Sequence, residues 1–100
     1  MRRAAKRDKN HREIADAFRQ VGCSVFETDR VGEGFPDLIV GVMAKNILVE
    51  VKSPETRYGR SGLNPNQTLF NEVWRGDKVV IVTTVDEAFA LVQNIRRGVR

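Results

Sequence analysis

The stretch GFPDLIVGVMAKNILVEVK, residues 34–52, decides the fold of this chain. It contains two apolar runs, LIVGV and ILV, and each run is attached to a carboxylate: Asp37 precedes the first and Glu50 follows the second. Short runs rich in Val, Ile and Leu predict buried β-strands. Side chains alternate across a strand, so Glu50 and Lys52 share one face. The stretch therefore predicts two strands that, as neighbours, hold Asp37, Glu50 and Lys52 together.

These residue types suit a metal-dependent phosphodiesterase. Asp37 and Glu50 offer two hard oxygen donors and the Val51 carbonyl a third, which suits Mg²⁺ or Mn²⁺ with several waters left on the ion. Lys52 adds a compact positive charge that can polarise water or pair with the phosphate in the transition state.

The same residues also have an ordinary structural interpretation. Charged residues that alternate with valine are typical of an exposed strand face, and Pro36-Asp37 is a common turn pair. Neither the Pro-Asp pair nor the Glu-x-Lys triplet is strong evidence for a functional site when it occurs alone. The order, the spacing and the strand context favour a functional site.

Three motifs in this order, GFPD at 34–37, EVKS at 50–53 and LNPNQ at 63–67, resemble the PD-(D/E)XK nuclease superfamily, and most closely its VRR-NUC (virus-type replication-repair nuclease) branch. The resemblance implies an α/β, restriction-endonuclease-like fold in which a mixed β-sheet is flanked by helices. It also implies Mg²⁺ or Mn²⁺ as cofactor, with Asp37, Glu50 and the Val51 carbonyl as metal ligands and Lys52 as the catalytic lysine.

Two further residues are carried over from the resemblance. Glu13 matches the acidic residue that the family places near the metal from its first helix, in the second shell or at a second metal, and Gln67 matches a glutamine after the Glu-x-Lys strand. Glu13 is equally consistent with a solvated glutamate near a helix N-terminus. Gln67 is equally consistent with a surface amide in a helix that Asn64 caps and Pro65 opens.

Composition predicts one small globular domain over residues 1–100. The 41% of hydrophobic residues is ordinary, and no apolar stretch approaches the roughly 20 residues of a membrane span. The N-terminus also lacks the apolar segment of a signal peptide, so we expect a cytoplasmic protein without membrane contact. One cysteine, Cys23, and one histidine exclude an internal disulfide and make a zinc cluster implausible.

Charge is concentrated at the two ends of the chain. Residues 1–12 carry +5 and the last five residues +3, whereas the intervening residues carry −4. Basic ends around an acidic centre suit a protein that binds phosphates at its edges, and Lys6 and Arg7 are candidate DNA contacts. The alternative for residues 1–7 is a disordered solubilising arm.

A polar loop, residues 53–62, follows Lys52 directly and is a candidate substrate-facing segment. In it, Arg57 and Arg60 could contact the DNA backbone and Tyr58 could stack on an exposed base. One tyrosine between arginines is also common loop chemistry.

Hydrophobic periodicity predicts the element order αβββαβα, with the last strand parallel to the strand of Glu50. The predicted segments are a helix at 8–21, strands at 24–28, 37–42 and 45–52, a helix at 64–74, a strand at 78–83 and a helix at 84–96. Thr84 and Glu87 form a capping-box pattern at the start of the last helix.

These observations predict a metal-dependent, structure-selective DNA endonuclease. The resemblance implies branched DNA as substrate, and a small stand-alone member could form a homodimer that cuts a four-way junction on both sides. The alternatives are a flap or nicking nuclease and a non-catalytic nucleic-acid-binding module. The absence of a recognition helix or zinc finger in the sequence disfavours a sequence-specific restriction enzyme.

Overall fold

The computed structural model describes residues 8–55 and 62–98, and all structural statements concern these residues. The described residues form three α-helices and four β-strands in the predicted order. The elements are α1 His11–Gln20, β1 Ser24–Glu27, β2 Leu38–Val42, β3 Lys45–Val51, α2 Pro65–Val73, β4 Val80–Val82 and α3 Val85–Arg96.

The strands form one mixed sheet in the order β1-β2-β3-β4. The first two pairings are antiparallel, and β3 pairs with β4 in parallel, as the α2 crossover between them requires. Met43 and Ala44 turn the β2–β3 hairpin with φ of 53° and 61°, the left-handed geometry of a two-residue turn. The prediction of an α/β fold with a mixed sheet is confirmed.

One face of the sheet carries the hydrophobic core. Alternate residues of β2 and β3, together with Val82 of β4, are buried on this face. Ile14 and Phe18 of α1 and Val92 and Ile95 of α3 cover it. Val92 and Ile95 are therefore core residues.

The capping box predicted at the start of α3 forms only in part. The Thr84 hydroxyl accepts a hydrogen bond from the Glu87 backbone N–H at 3.1 Å, as predicted. The Glu87 carboxylate, however, accepts from the backbone N–H and hydroxyl of Thr83, at 2.7 and 2.9 Å, rather than from the Thr84 N–H. The glutamate thus ties the end of β4 to α3.

The opposite face of the sheet is only partly covered. The helix α2 lies on this side, and none of its nine residues, all of them described, is buried. Phe26 of β1 is 71% exposed and Ile81 of β4 is 43% exposed. Among the described residues, no helix combines the length and the apolar character that crossing a membrane needs.

Candidate active site

The Asp37 and Glu50 carboxyl groups meet on the partly covered face of the sheet. Leu38 pairs with Val49, so the next residues outward, Asp37 and Glu50, lie opposite each other. The backbone N–H of Val51 donates to Asp37 Oδ2 at 2.8 Å. The strands therefore fix both carboxyl groups within one site.

Burial and mutual repulsion alter the titration of this pair. Glu50 is only 3% exposed, and burial, with the neighbouring Asp37 charge next, raises the pKa of Glu50 to about 8. Burial also raises the pKa of Asp37, although the Val51 N–H opposes that change. Without a cation, the pair therefore keeps a proton at neutral pH.

Lys52 lies beside this pair and is buried as well. Its Nζ lies 3.8 Å from Glu50 Oε2 and donates to Gln67 Oε1 at 3.1 Å. The Lys52 backbone N–H donates to the Val82 carbonyl, extending the β3–β4 pairing past the end of the strand. A buried ammonium next to two carboxyl groups partly balances their charge and is held in one place.

Gln67 connects α2 to the carboxyl pair. Its Oε1 accepts from the Asn64 N–H and from Lys52 Nζ, and its Nε2 donates to Glu50 Oε2. Two donors at Oε1 fix the orientation of the amide, and the Asn64 side chain completes a capping box by accepting from the Gln67 N–H at 2.9 Å. Gln67 therefore belongs both to the hydrogen-bonded group of Glu50 and Lys52 and to the helix start.

A close approach of two backbones places α2 over the site. Gly34 has φ of +82°, and a Cβ added there would lie 2.2 Å from the Asn66 carbonyl oxygen. Only glycine allows both this backbone conformation and this contact. The glycine before Pro-Asp therefore lets the loop and the start of α2 meet.

A cavity of about 210 Å³ opens beside the carboxyl pair, and its lining is acidic. Asp8 and Asp29 line it together with Asp37, Glu50 and Val51. The carboxylate of Asp8 accepts from the Ser53 N–H at 3.1 Å, and its charge contributes to the raised pKa of Glu50. Several carboxylates around one cavity favour a bound cation.

Glu13 is not brought to this cavity. It is exposed and lines a separate cavity of about 410 Å³, with Lys9 and Glu55 among its neighbours. The reason is helical geometry: Ile14 points into the core, and 100° per residue turns Glu13 away from the carboxyl pair. The prediction that Glu13 lies beside Asp37 and Glu50 is wrong: the acidic residue from this end of the chain that lines their cavity is Asp8, in the turn before α1.

A second cluster adjoins the carboxyl pair. One ligand atom each from His11, Glu27 and Asp29 lies within 4.8 Å of the others. His11 Nε2 lies 3.1 Å from Glu27 Oε1, and Arg19 donates to the other Glu27 oxygen. His11 is 2% exposed, and its proximity opposes the rise in the pKa of Asp37. No sequence pattern indicates that His11 or Asp29 lies near the carboxyl pair, because the grouping arises only when α1, β1 and the following loop pack together.

The five candidate DNA contacts lie outside the described residues. Lys6 and Arg7 belong to residues 1–7, and Arg57, Tyr58 and Arg60 belong to residues 56–61. Their assignment stays a prediction from the sequence.

The donor set fits a hard divalent cation. Asp37, Glu50 and the Val51 main chain present oxygen ligands, and Asp8 adds a carboxylate across the cavity. A cation bound between Asp37 and Glu50 would replace the proton that this pair keeps and would relieve the repulsion between the two carboxylates.

Comparison of the chain with protein-family models, with curated proteins and with solved structures finds no match in any of the three.

Proposed function

We propose that this protein is a Mg²⁺- or Mn²⁺-dependent DNA endonuclease with a restriction-endonuclease-like fold that selects branched DNA by structure. One observation carries the proposal: Asp37, Glu50, Lys52 and Gln67, which come from three separate sequence motifs, form one connected group beside an acidic cavity. A purely structural ion pair would not require a second carboxyl group that keeps its proton.

Asp37, Glu50 and the Val51 carbonyl would hold the cation. The bound cation supplies a polarised water and neutralises charge on the phosphoryl oxygens. Lys52 is positioned to hold the attacking water or to stabilise the negative charge that grows on the phosphate. Gln67 fixes Lys52 and Glu50 relative to each other, because one amide contacts both. Hydrolysis forms a bond from the water oxygen to phosphorus and breaks the bond to one ester oxygen, which leaves with a proton.

The decisive experiment compares Lys52→Ala with Lys45→Ala, because Lys52 directly follows β3 at the carboxyl pair whereas Lys45 is exposed at the opposite end of the same strand. End-labelled four-way junction, flap, duplex and single-stranded DNA would be incubated with Mg²⁺, Mn²⁺ or a chelator. We expect metal-dependent cleavage of branched substrates, a loss of about 10²–10³ in rate for Lys52→Ala and little change for Lys45→Ala.

The pattern of products distinguishes the alternatives. Symmetric cuts across the junction support a junction-resolving homodimer, whereas cuts in one strand only support a flap or nicking nuclease. Binding of every substrate with cleavage of none would refute the nuclease and leave a nucleic-acid-binding module.

A further inference from the structure

Three aromatic rings in contact lead from the candidate active site to solvent; we call Phe35, Phe70 and Trp74 the aromatic ladder. Phe35 lines the carboxylate cavity, and its ring meets Phe70 edge-on at 5.4 Å between centroids. Phe70 stacks on Trp74 at 5.1 Å, with 17° between the ring planes. Trp74 is 41% exposed. The ladder therefore begins in the GFPD motif and ends on an open indole.

The hydrophobic core does not account for the ladder. The helix α2, which carries Phe70 and ends at Trp74, contributes no buried residue among its nine described positions. Tryptophan is usually well buried in proteins, and a half-open indole stacked on a second ring is poorly placed for core packing. The Gly76 backbone lies close to the indole Nε1, and the part of the indole that stays exposed offers a planar ligand one more layer of stacking.

The surroundings of Trp74 favour a ligand that carries phosphate. Arg75 and Lys78 follow it in the chain and are exposed, with Asp77 between them. Lys78 Nζ donates to the Asn71 carbonyl at 2.7 Å, which holds one cation close to the end of α2. Proteins that bind single strands combine aromatic platforms with nearby cations, because every base offers a π face and every link a phosphate.

We propose that Trp74, supported by Phe70, is a stacking site for one unpaired nucleobase of a strand whose phosphate enters the carboxylate cavity. This inference rests on the proposed function and adds to it the feature that the substrate must offer. Two ring-to-ring distances, 5.1 Å from Trp74 to Phe70 and 5.4 Å from Phe70 to Phe35, separate Trp74 from the cavity lining. Together they correspond to roughly three nucleotides at the 3.4 Å spacing of phosphates along one strand. The site thus selects flaps, frayed ends and junction centres, because a blunt duplex hides the faces of its bases.

The competing occupant is a protein surface, such as a second copy of this chain. Leu69 and Val73 are 58% and 62% exposed, and they lie on the flank of α2 one step of 100° from Phe70 and Trp74. Aliphatic side chains of this kind suit protein contacts. The aromatic stack, its link to the cavity and the adjacent cations favour the nucleobase at Trp74 itself.

Trp74 is the only tryptophan of the chain, so its fluorescence reports directly on the proposed site. In chelator, where no cleavage can occur, the protein would be titrated with a single-stranded oligonucleotide, a forked duplex and a blunt duplex of equal length. We expect strong, saturable quenching by the single strand and the fork and little quenching by the blunt duplex.

Variants test whether stacking contributes to binding. By anisotropy of a labelled strand, Trp74→Leu should bind single strands and forks about tenfold more weakly, whereas Trp74→Phe, which keeps a flat ring, should bind nearly as wild type. Val73→Ala, on the neighbouring flank, is the matched control and should leave affinity unchanged. Urea unfolding of each variant separates lost binding from lost folding, and the quenching of the unaltered chain tests the site even if Trp74→Leu does not fold.

Three outcomes would overturn the inference. The first is single-strand binding that leaves tryptophan emission unchanged, and the second is wild-type affinity in a folded Trp74→Leu. The third is emission that shifts with protein concentration alone, together with dimers in sedimentation, because a second copy would then occupy Trp74. Quenching is measured in chelator and cleavage in Mg²⁺ or Mn²⁺, so the two proposals fail separately: quenching without cleavage would refute the nuclease, and cleavage without quenching would refute this stacking site.

Discussion

Replacing Glu50 by glutamine should stabilise the metal-free protein at alkaline pH. Glu50 is buried against Asp37, and its pKa is raised from 4.5 to about 8, chiefly by burial and then by the charge of Asp37. Glutamine resembles the protonated acid in shape: its oxygen can accept from Gln67 Nε2, and its amide can donate to Asp37. The substitution therefore removes the cost of ionisation while keeping the hydrogen bonds.

The sign of the effect follows from the direction of the pKa change. A carboxyl group with a pKa higher in the folded state than in the unfolded state contributes its stability below about pH 4.5 and loses it as the pH rises toward 8. At about 1.4 kcal/mol per pH unit, the upper limit for this loss is about 5 kcal/mol. Asp37 shares the proton, so the full limit is not reached. We expect the free energy of unfolding of Glu50→Gln to exceed that of wild type by about 2–4 kcal/mol at pH 8 and by under about 1 kcal/mol at pH 5.

Urea unfolding with a chelator at pH 5 and pH 8 measures this difference. Glu72→Gln, which removes an exposed carboxylate of α2, is the control and should stay within about 0.5 kcal/mol of wild type at both pH values. Added Mg²⁺ or Mn²⁺ should raise the unfolding midpoint of wild type at pH 8 and leave Glu50→Gln nearly unchanged. Equal stability of Glu50→Gln and wild type at pH 8 would refute the account of a repelling, buried carboxyl pair.

Three further substitutions or deletions test other parts of the site. In urea unfolding, Gly34→Ala should destabilise the protein by about 1–3 kcal/mol more than the control Gly98→Ala, and it should also reduce cleavage. Both glycines have positive φ, but only at Gly34 would the added Cβ meet the start of α2. Asp8→Asn should weaken metal binding by about tenfold in calorimetry, whereas Glu13→Gln should not; the reverse ranking would restore Glu13 as the acidic residue near the metal. Deleting residues 1–7, which carry four basic side chains, should lower the slope of log affinity against log salt by up to about 4, and an unchanged slope would exclude phosphate contacts there.

The sequence predicted the strands well because their signal is local. The alternation of side chains along a strand predicts that Glu50 and Lys52 share one face. The register of β2 on β3 then sets Asp37 opposite Glu50. The last strand is shorter than predicted, Val80–Val82 rather than 78–83. At its start, the Asn71 side chain accepts from the Val79 N–H and the Asn71 carbonyl from Lys78 Nζ, which draws these two residues toward α2. At its end, the Thr83 N–H donates to the Glu87 carboxylate.

The acidic wall of the cavity could not be predicted in the same way. Asp8 lies in a turn and Asp29 in a loop, where no periodicity states which way a side chain points. Their place depends on contacts across the fold, such as the Ser53 N–H that holds Asp8. The prediction for Glu13 is wrong for a related reason. On a helix, a shift of one residue turns the side chain by 100°, so a residue at the expected position along the sequence can still point away from the site.

The polar group at the active site also holds α2 in place. A nine-residue helix is marginal in water and normally depends on burying one side, yet no residue of α2 is buried among those described. Its anchors are the Gln67 amide on Glu50 and Lys52, the Phe70 ring on Phe35 and the Asn71 contacts to the start of β4. Because the Gln67 anchor includes the group that releases its proton near pH 8, a cation that lets Glu50 ionise strengthens the acceptor for the Gln67 amide. Under the proposed function, cation binding and the docking of α2 would therefore be coupled, and α2 carries Phe70 of the aromatic ladder.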